Sequence, residues 1–170
     1  MTKLSLLRVV RDTIVDGPGF RTAVYSAGCA HHCKGCHNPA SWNLATGNLV
    51  PVTDLMKQIL EADNSGVTFS GGDPMFQVEA FTELARLIKE QTQKNIWCYT
   101  GYEFDEVLGS ERLSRILPYI DVMVDGRFVE EEKDPGLIFR GSKNQRLIDV
   151  QRSLVENKVV LYDYSPFPTF

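Results

Sequence analysis

A chain of 170 residues with 43% hydrophobic and 24% charged side chains has the make-up of one soluble globular domain, long enough to bury about two-thirds of its unfolded surface. A formal net charge of −4 argues against a general nucleic-acid binder, which needs a basic face to neutralise phosphates. No window approaches the roughly 20 apolar residues of a membrane-spanning helix, and Arg8, Arg11 and Asp12 interrupt the N-terminus too early for a signal peptide, so a cytoplasmic protein is expected.

In chain order, residues 1–20 read as an N-terminal arm ending in VDGPGF, a turn that lacks the GxGxxG pattern and strand-to-helix setting of a phosphate loop. Residues 22–27 (TAVYSA) are β-prone and run through Gly28 into the loop CAHHCKGC, Cys29 to Cys36. Residues 52–62 read as a helix, with Thr53 as its cap and Leu55, Met56, Ile59 and Leu60 on one face. A short apolar strand at 67–70 leads into the turn GGDP, after which Ala80, Phe81, Leu84, Leu87 and Ile88 recur at helical spacing. Residues 95–100 (NIWCYT) are a third expected strand, 104–117 a helical stretch broken near Gly109, and 120–124 (IDVMV) a fourth strand after Pro118. Beyond lies a C-terminal extension, 126–170, whose Pro-rich end, 165–170, is expected to be loosely ordered.

Short, continuously apolar strands alternating with helices predict an α/β fold with a parallel sheet and right-handed crossovers, so that the loops after each strand gather on one edge. CAHHCKGCHNP, GGDP, TGY and DGRF follow the four strands in turn, and α/β proteins bind their ligands on that edge. With about four to six units the sheet is either open and doubly wound or part of a barrel, too short to close with eight strands.

In a reducing compartment clustered cysteines are ligands or redox groups rather than structural disulfides, and eight residues make a cramped loop for a disulfide. A structural zinc site is closed and four-coordinate, and here it would need His31, His32 or His37 as fourth ligand, since no second Cys/His pair follows. A 4Fe-4S cluster normally takes four thiolates, so three leave one iron open to another molecule. The residues alone favour the open cluster and leave a Cys3His zinc site as the competing reading. Cys98, alone on the third strand, reads as a buried core thiol.

The spacing in CAHHCKGC, followed by HNP and by SGGDP about 35 residues on, resembles the radical S-adenosylmethionine (radical SAM) superfamily. VDGPGFR, CHNPASW, FSGGDPM, IWCYTGY, DVMVDGRF and DPGLIFRGSKNQRLIDV resemble, in order and over nearly the whole chain, the activating proteins of anaerobic ribonucleoside-triphosphate reductases, more than the longer pyruvate formate-lyase activases. The resemblance implies a partial, incomplete parallel β/α barrel in one radical SAM domain over 1–170, with its core at 21–125 and its cluster loop at 29–36. It implies a 4Fe-4S cluster on Cys29, Cys33 and Cys36, with S-adenosylmethionine (SAM) chelating the open iron. Reductive cleavage of SAM would yield a 5′-deoxyadenosyl radical that takes a hydrogen atom from a glycine of the reductase. The reductase is then the protein partner, and a donor such as flavodoxin or ferredoxin supplies the electron. SAM contacts fall to Gly35, Cys36 and His37 in the cysteine loop and to Gly71, Gly72 and Asp73 in GGDP. The two glycines admit close approach of a small molecule and Asp73, often Glu in the superfamily, accepts from its ammonium group. His37 stands where an aromatic residue is common and is expected to stack on adenine.

Trp97, Tyr99 and Tyr102 read as core and rim aromatics near that pocket, and the acidic run 130–132 as a solvated face. Asp125 and Arg140 are candidate polar contacts to SAM or to the partner, and Arg21 has no assigned role. A zinc-stabilised binding module and an activase of another glycyl-radical enzyme are the alternatives. Cys29, Cys33 and Cys36 should each be indispensable for the cluster, whereas His31→Ala and His32→Ala should retain it. Iron and zinc content after anaerobic reconstitution reads both, and loss of metal in either histidine variant would restore the zinc reading.

Overall fold

The computed structural model describes residues 1–165, so the Pro-rich end lies, from residue 166 onward, outside the described residues. Seven strands form one sheet: β1 (Lys3–Thr13), β2 (Arg21–Ser26), β3 (Asn48–Pro51), β4 (Gly66–Gly71), β5 (Asn95–Tyr99), β6 (Val122–Asp125) and β7 (Arg146–Asp149), in the order β3-β1-β2-β4-β5-β6-β7. The four strands expected from the sequence are β2, β4, β5 and β6, and they are parallel to one another. The sheet as a whole is mixed, because β1, β3 and β7 join it antiparallel.

The N-terminal residues expected to lie outside the core instead provide the longest strand, β1, between β3 and β2. Its Leu4 and Leu6 are buried, but beyond Leu6 the strand is mostly half-exposed, and Arg8 and Arg11 stand on it. Burial confined to the first part of the strand does not give the continuous apolar run that marks the parallel strands. Residues 126–165 likewise complete the sheet, through β7 and through a short pairing of Ile148 with Leu161.

Four helices accompany the strands: α1 (Val52–Glu61), α2 (Val78–Gln91), α3 (Phe104–Leu108) and α4 (Val150–Glu156). Thr53 does not cap α1. Pro51 occupies that position without a side-chain cap, and the Val52 N–H donates to the Thr2 carbonyl at 3.0 Å, so the helix start is tied to the N-terminal segment instead. Leu60, expected on the buried face, is exposed; Val52, Leu55, Met56 and Ile59 form that face. The 104–117 stretch does break near Gly109, and its second half is a 3-10 turn, Leu113–Tyr119, with Pro118 inside it. A proline there forfeits an α-helical hydrogen bond that the shorter repeat tolerates.

The strand period of two divides the sheet into dissimilar faces. Val67, Phe69, Ile96, Cys98 and Met123 point into the main core, where they meet Phe81, Leu84 and Ile88 of α2. Burying each large apolar side chain there stabilises the fold by about 1.5–3 kcal/mol. Burial also pushes the Cys98 thiol well above its ordinary pKa, as a core thiol requires. The opposite face carries Arg21, Thr68, Trp97, Tyr99 and Val124.

Arg21 is fully buried at the start of β2. Its guanidinium donates to Thr68 Oγ1 at 2.8 Å and to the carbonyls of Val67, Pro18 and Asn95 at 2.9, 3.2 and 3.4 Å, and it lies 5.6 Å from the Trp97 ring. Desolvation lowers its pKa to about 10. One side chain thereby ties the beginnings of β2, β4 and β5 to the VDGPGF turn, at the end of the sheet away from the cysteines. Arg21→Met strands those carbonyls and should cost about 3 kcal/mol, or about 6–12 °C in melting midpoint, measured by thermal denaturation. An unchanged midpoint would show that this network contributes nothing to stability.

Candidate functional site

The cysteine loop leaves β2 under tight backbone control. Ala27 N–H donates to the Ser5 carbonyl at 3.0 Å, Gly28 N–H to Ser41 at 2.7 Å, and Cys29 N–H to Trp42 at 3.2 Å. The turn after β4 closes against it: Gly72 N–H donates to Ser26 at 2.8 Å and Asp73 N–H to Gly28 at 2.8 Å. Gln77 adds a side-chain tie, accepting from Ser5 N–H at 2.8 Å and donating to the Ser5 and Ala27 carbonyls at 2.9 Å each.

These contacts explain the paired glycines. Gly71 has φ +102°, and a Cβ there would strike the Ser26 backbone. At Gly72 a Cβ would meet the Gly28 carbonyl at 2.5 Å and that of Ser41 at 2.9 Å. The close approach they permit is between two protein backbones, not only between backbone and ligand as the motif suggested. Both glycines still line the adjoining cavity.

That cavity, about 270 Å³, opens at the C-terminal ends of β2, β4, β5 and β6. It is near the lower limit for a small-molecule pocket. All three loop cysteines line it, as do His31, His37, Thr100, Gly126, Phe128, Arg140 and Gln145. The motifs after the four parallel strands therefore do meet on one edge. The three thiols are half-buried and free, and burial raises the pKa of Cys29. Among the described residues no three His, Cys, Asp or Glu side chains converge as a single-ion site. Thiolates are the usual ligands of iron–sulfur clusters, and zinc takes them as well.

Each histidine of the loop has a neighbour in the protein. His31 Nε2 lies 2.7 Å from Asp73 Oδ2, and its ring meets Tyr102 edge-on at 4.6 Å. His32 stacks on Trp42 at 4.5 Å, and His37 lies 5.3 Å from Phe128, aromatic but not stacked. Asp73 is 2% exposed and fully engaged: Oδ1 accepts from Met75 N–H, and Oδ2 accepts from Thr100 Oγ1 and Gly101 N–H at 2.9 Å besides facing His31. Asp73 and Gly35 are not among the residues lining the cavity. The carboxylate expected to meet a ligand ammonium instead braces the wall from behind.

Asp125 is also spoken for, accepting from Arg146 at 3.1 and 2.6 Å and from Phe104 N–H at 2.8 Å. Arg140 does reach the cavity. Gln145, Phe128 and Thr100 were not singled out in the sequence, although DGRF, TGY and the GSKNQ run that carry them were conspicuous there.

Over residues 15–148 the chain matches the family described as 4Fe-4S single cluster domain, which makes it an iron–sulfur protein of the single-cluster class. The anaerobic ribonucleoside-triphosphate reductase-activating protein of Haemophilus influenzae is 38% identical over 152 residues, covering 84% of this chain and 96% of its own. The protein of the same name from Vibrio cholerae is 42% identical over 142 residues, covering 78% and 89%, and that of bacteriophage T4 is 34% identical over 146 residues, covering 82% and 90%. The chain belongs to the family of anaerobic ribonucleoside-triphosphate reductase-activating proteins.

Gly72→Ala places a methyl group against the Gly28 carbonyl and should displace the cysteine loop while leaving the sheet folded. Iron retained after reconstitution should fall severalfold with an unaltered circular dichroism spectrum. Full iron content in the variant would show that the two loops need not touch.

Proposed function

We propose that the chain activates an anaerobic ribonucleoside-triphosphate reductase as a radical SAM enzyme in the cytoplasm, acting as one domain over 1–170 whose sheet is a partial β/α barrel. Cys29, Cys33 and Cys36 hold a 4Fe-4S cluster, and SAM binds at its open iron. When bound and reduced, the cluster supplies the electron that cleaves SAM to methionine and a 5′-deoxyadenosyl radical, which abstracts hydrogen from a reductase glycine to leave a glycyl radical. The observation that carries this reading is three thiols on one ligand-sized cavity while the remaining cysteine, Cys98, is fully buried in the core against the helices. The names of the relatives support the choice of reductase as partner.

The protein's own work is binding, orientation and exclusion of water. Cys36 and His37 meet SAM from the cysteine loop, which Gly35 shapes through its left-handed backbone, and Gly71 and Gly72 meet it from the facing turn. Asp73 acts one layer back, fixing His31, Thr100 and Gly101 so that both sides of the cavity keep their positions. No nucleophile and base are required of the side chains, because the cofactor carries the reaction. The reductase's glycine segment closes the open side and keeps water from a reactive primary radical. A flavodoxin or ferredoxin supplies the electron.

Electron paramagnetic resonance of the reduced protein tests this directly. Adding SAM should shift the cluster signal, and adding the reductase as well should produce a glycyl radical signal. A cluster spectrum indifferent to SAM would sink the proposal.

A further inference from the structure

We propose that Arg140 recognises the carboxylate of the amino-acid portion of the cavity's ligand. This rests on the reading of that ligand as SAM and names the residue that selects one end of it.

Arg140 lines the cavity and no carboxylate among the described residues forms an ion pair with it. Its Nη1 donates to the Gln145 carbonyl at 2.9 Å, while its Nε is buried without a hydrogen-bond partner among the described residues. A buried donor on a permanent cation carries a large desolvation cost when nothing accepts from it. Arg21, the other deeply placed guanidinium, shows the contrast: its Nε, Nη1 and Nη2 all donate to the protein. Asp125, equally prominent in the sequence, is consumed by Arg146 and the Phe104 N–H. Of the two, only Arg140 keeps hydrogen-bonding capacity for a ligand.

The surrounding backbone is built to hold it there. Phe139 has φ +60°, a left-handed conformation that costs a bulky L-residue about 1 kcal/mol or more and survives only where its neighbours enforce it. The neighbours do so: Tyr99 Oη donates to the Phe139 carbonyl at 2.7 Å, and the Phe139 ring meets Trp97 and Tyr164 edge-on at 5.3 and 5.0 Å. On the other side, Gln145 Oε1 accepts from Gly141 and Ser142 N–H at 2.9 and 3.2 Å, and its Nε2 donates to the Gly126 carbonyl at 3.0 Å. Gln145 thus fixes the turn whose carbonyl orients the guanidinium.

The charge of the cavity wall selects the ligand group. Among the described residues no Asp or Glu lines it, and Arg140 is its one guanidinium. A ligand ammonium finds no carboxylate there, whereas a carboxylate finds a planar fork suited to it. A second groove, lined by Leu137, Ile138 and Tyr162 among others, shares Arg140. A peptide carboxylate arriving through that groove is therefore the competing source of the same chemistry, and the test separates the two.

Equilibrium binding of SAM and of decarboxylated SAM to the anaerobically reconstituted protein reads the inference. Wild type should prefer SAM. Arg140→Gln should weaken SAM by about 10- to 100-fold while changing decarboxylated SAM less than about threefold, so the preference shrinks by about the ratio of the two. Arg140→Lys, which keeps the charge without the fork, should fall between them, and the ratio of the two ligands stays informative even where iron loading drops. An unchanged ratio in both variants would overturn the inference and leave the guanidinium to the peptide groove. Wild-type protein that binds neither compound would instead sink the SAM reading, and this inference with it.

Discussion

The site depends on a backbone-to-backbone contact between the loop after β2 and the turn after β4. Two hydrogen bonds, from Gly72 and Asp73 to the carbonyls of Ser26 and Gly28, hold together segments more than 40 residues apart in the chain. The contact is short enough to exclude a Cβ, so steric complementarity and hydrogen bonding constrain the same atoms. Because the cysteines follow directly from this junction, their placement inherits the rigidity of the parallel sheet. Asp73 extends the constraint to a third loop through Thr100 and Gly101, so a single carboxylate links the exits of β4 and β5 with the cysteine loop. A buried carboxylate is tolerable only with such saturation, since an unsatisfied charge would cost far more than these bonds return.

The sheet separates stability from chemistry. On the helical side Phe69 and Phe81 pack 4.8 Å apart in a purely apolar layer. On the other side polar groups are admitted one at a time, each with its partners: Arg21 beneath, and Tyr25 bonded to Asp16 at the rim. Burial and the nearby Asp16 push the Tyr25 phenol up to about 12, so it stays protonated and able to donate that bond throughout the neutral range. Arg21 at the starts of the strands and the glycine contact at their ends brace opposite ends of the same parallel ladder. The cavity occupies the C-terminal end, where strand exits diverge and loops can be exchanged without disturbing the core.

Much of this was legible in the sequence because the relevant signals are local. Continuous apolar runs such as VTFS and IWCY revealed the parallel strands, and the cysteine spacing with GGDP marked the edge on which the site forms. Features that depend on partners distant in sequence were not legible. β1 carries charges along half its length and becomes a strand only because β2 and β3 flank it. Thr53 has the right chemistry for a cap, but the Thr2 carbonyl takes the first helical N–H. Asp73 looked free to bind a ligand because the sequence does not show that Thr100, Gly101 and His31 surround it.

Asp73, Asp125 and Arg140 all sit in conspicuous motifs, and residue type alone gives no reason to rank them. Saturation does rank them. Asp73 has contacts on both of its oxygens, Asp125 has an arginine fork and a backbone N–H, and both are buried to within 2% of completeness. Both are buried with internal bonds already made, and exchanging one of those bonds for a ligand costs about 1.5–3 kcal/mol for a charged partner. What faces the cavity is therefore mostly thiol, imidazole and aromatic ring, backbone and one incompletely satisfied cation. Such a wall provides shape and a single permanent charge, with no carboxylate among the described lining residues. It suits a reaction whose bond-breaking belongs to bound cofactors, leaving the protein to decide where they sit and which way they point.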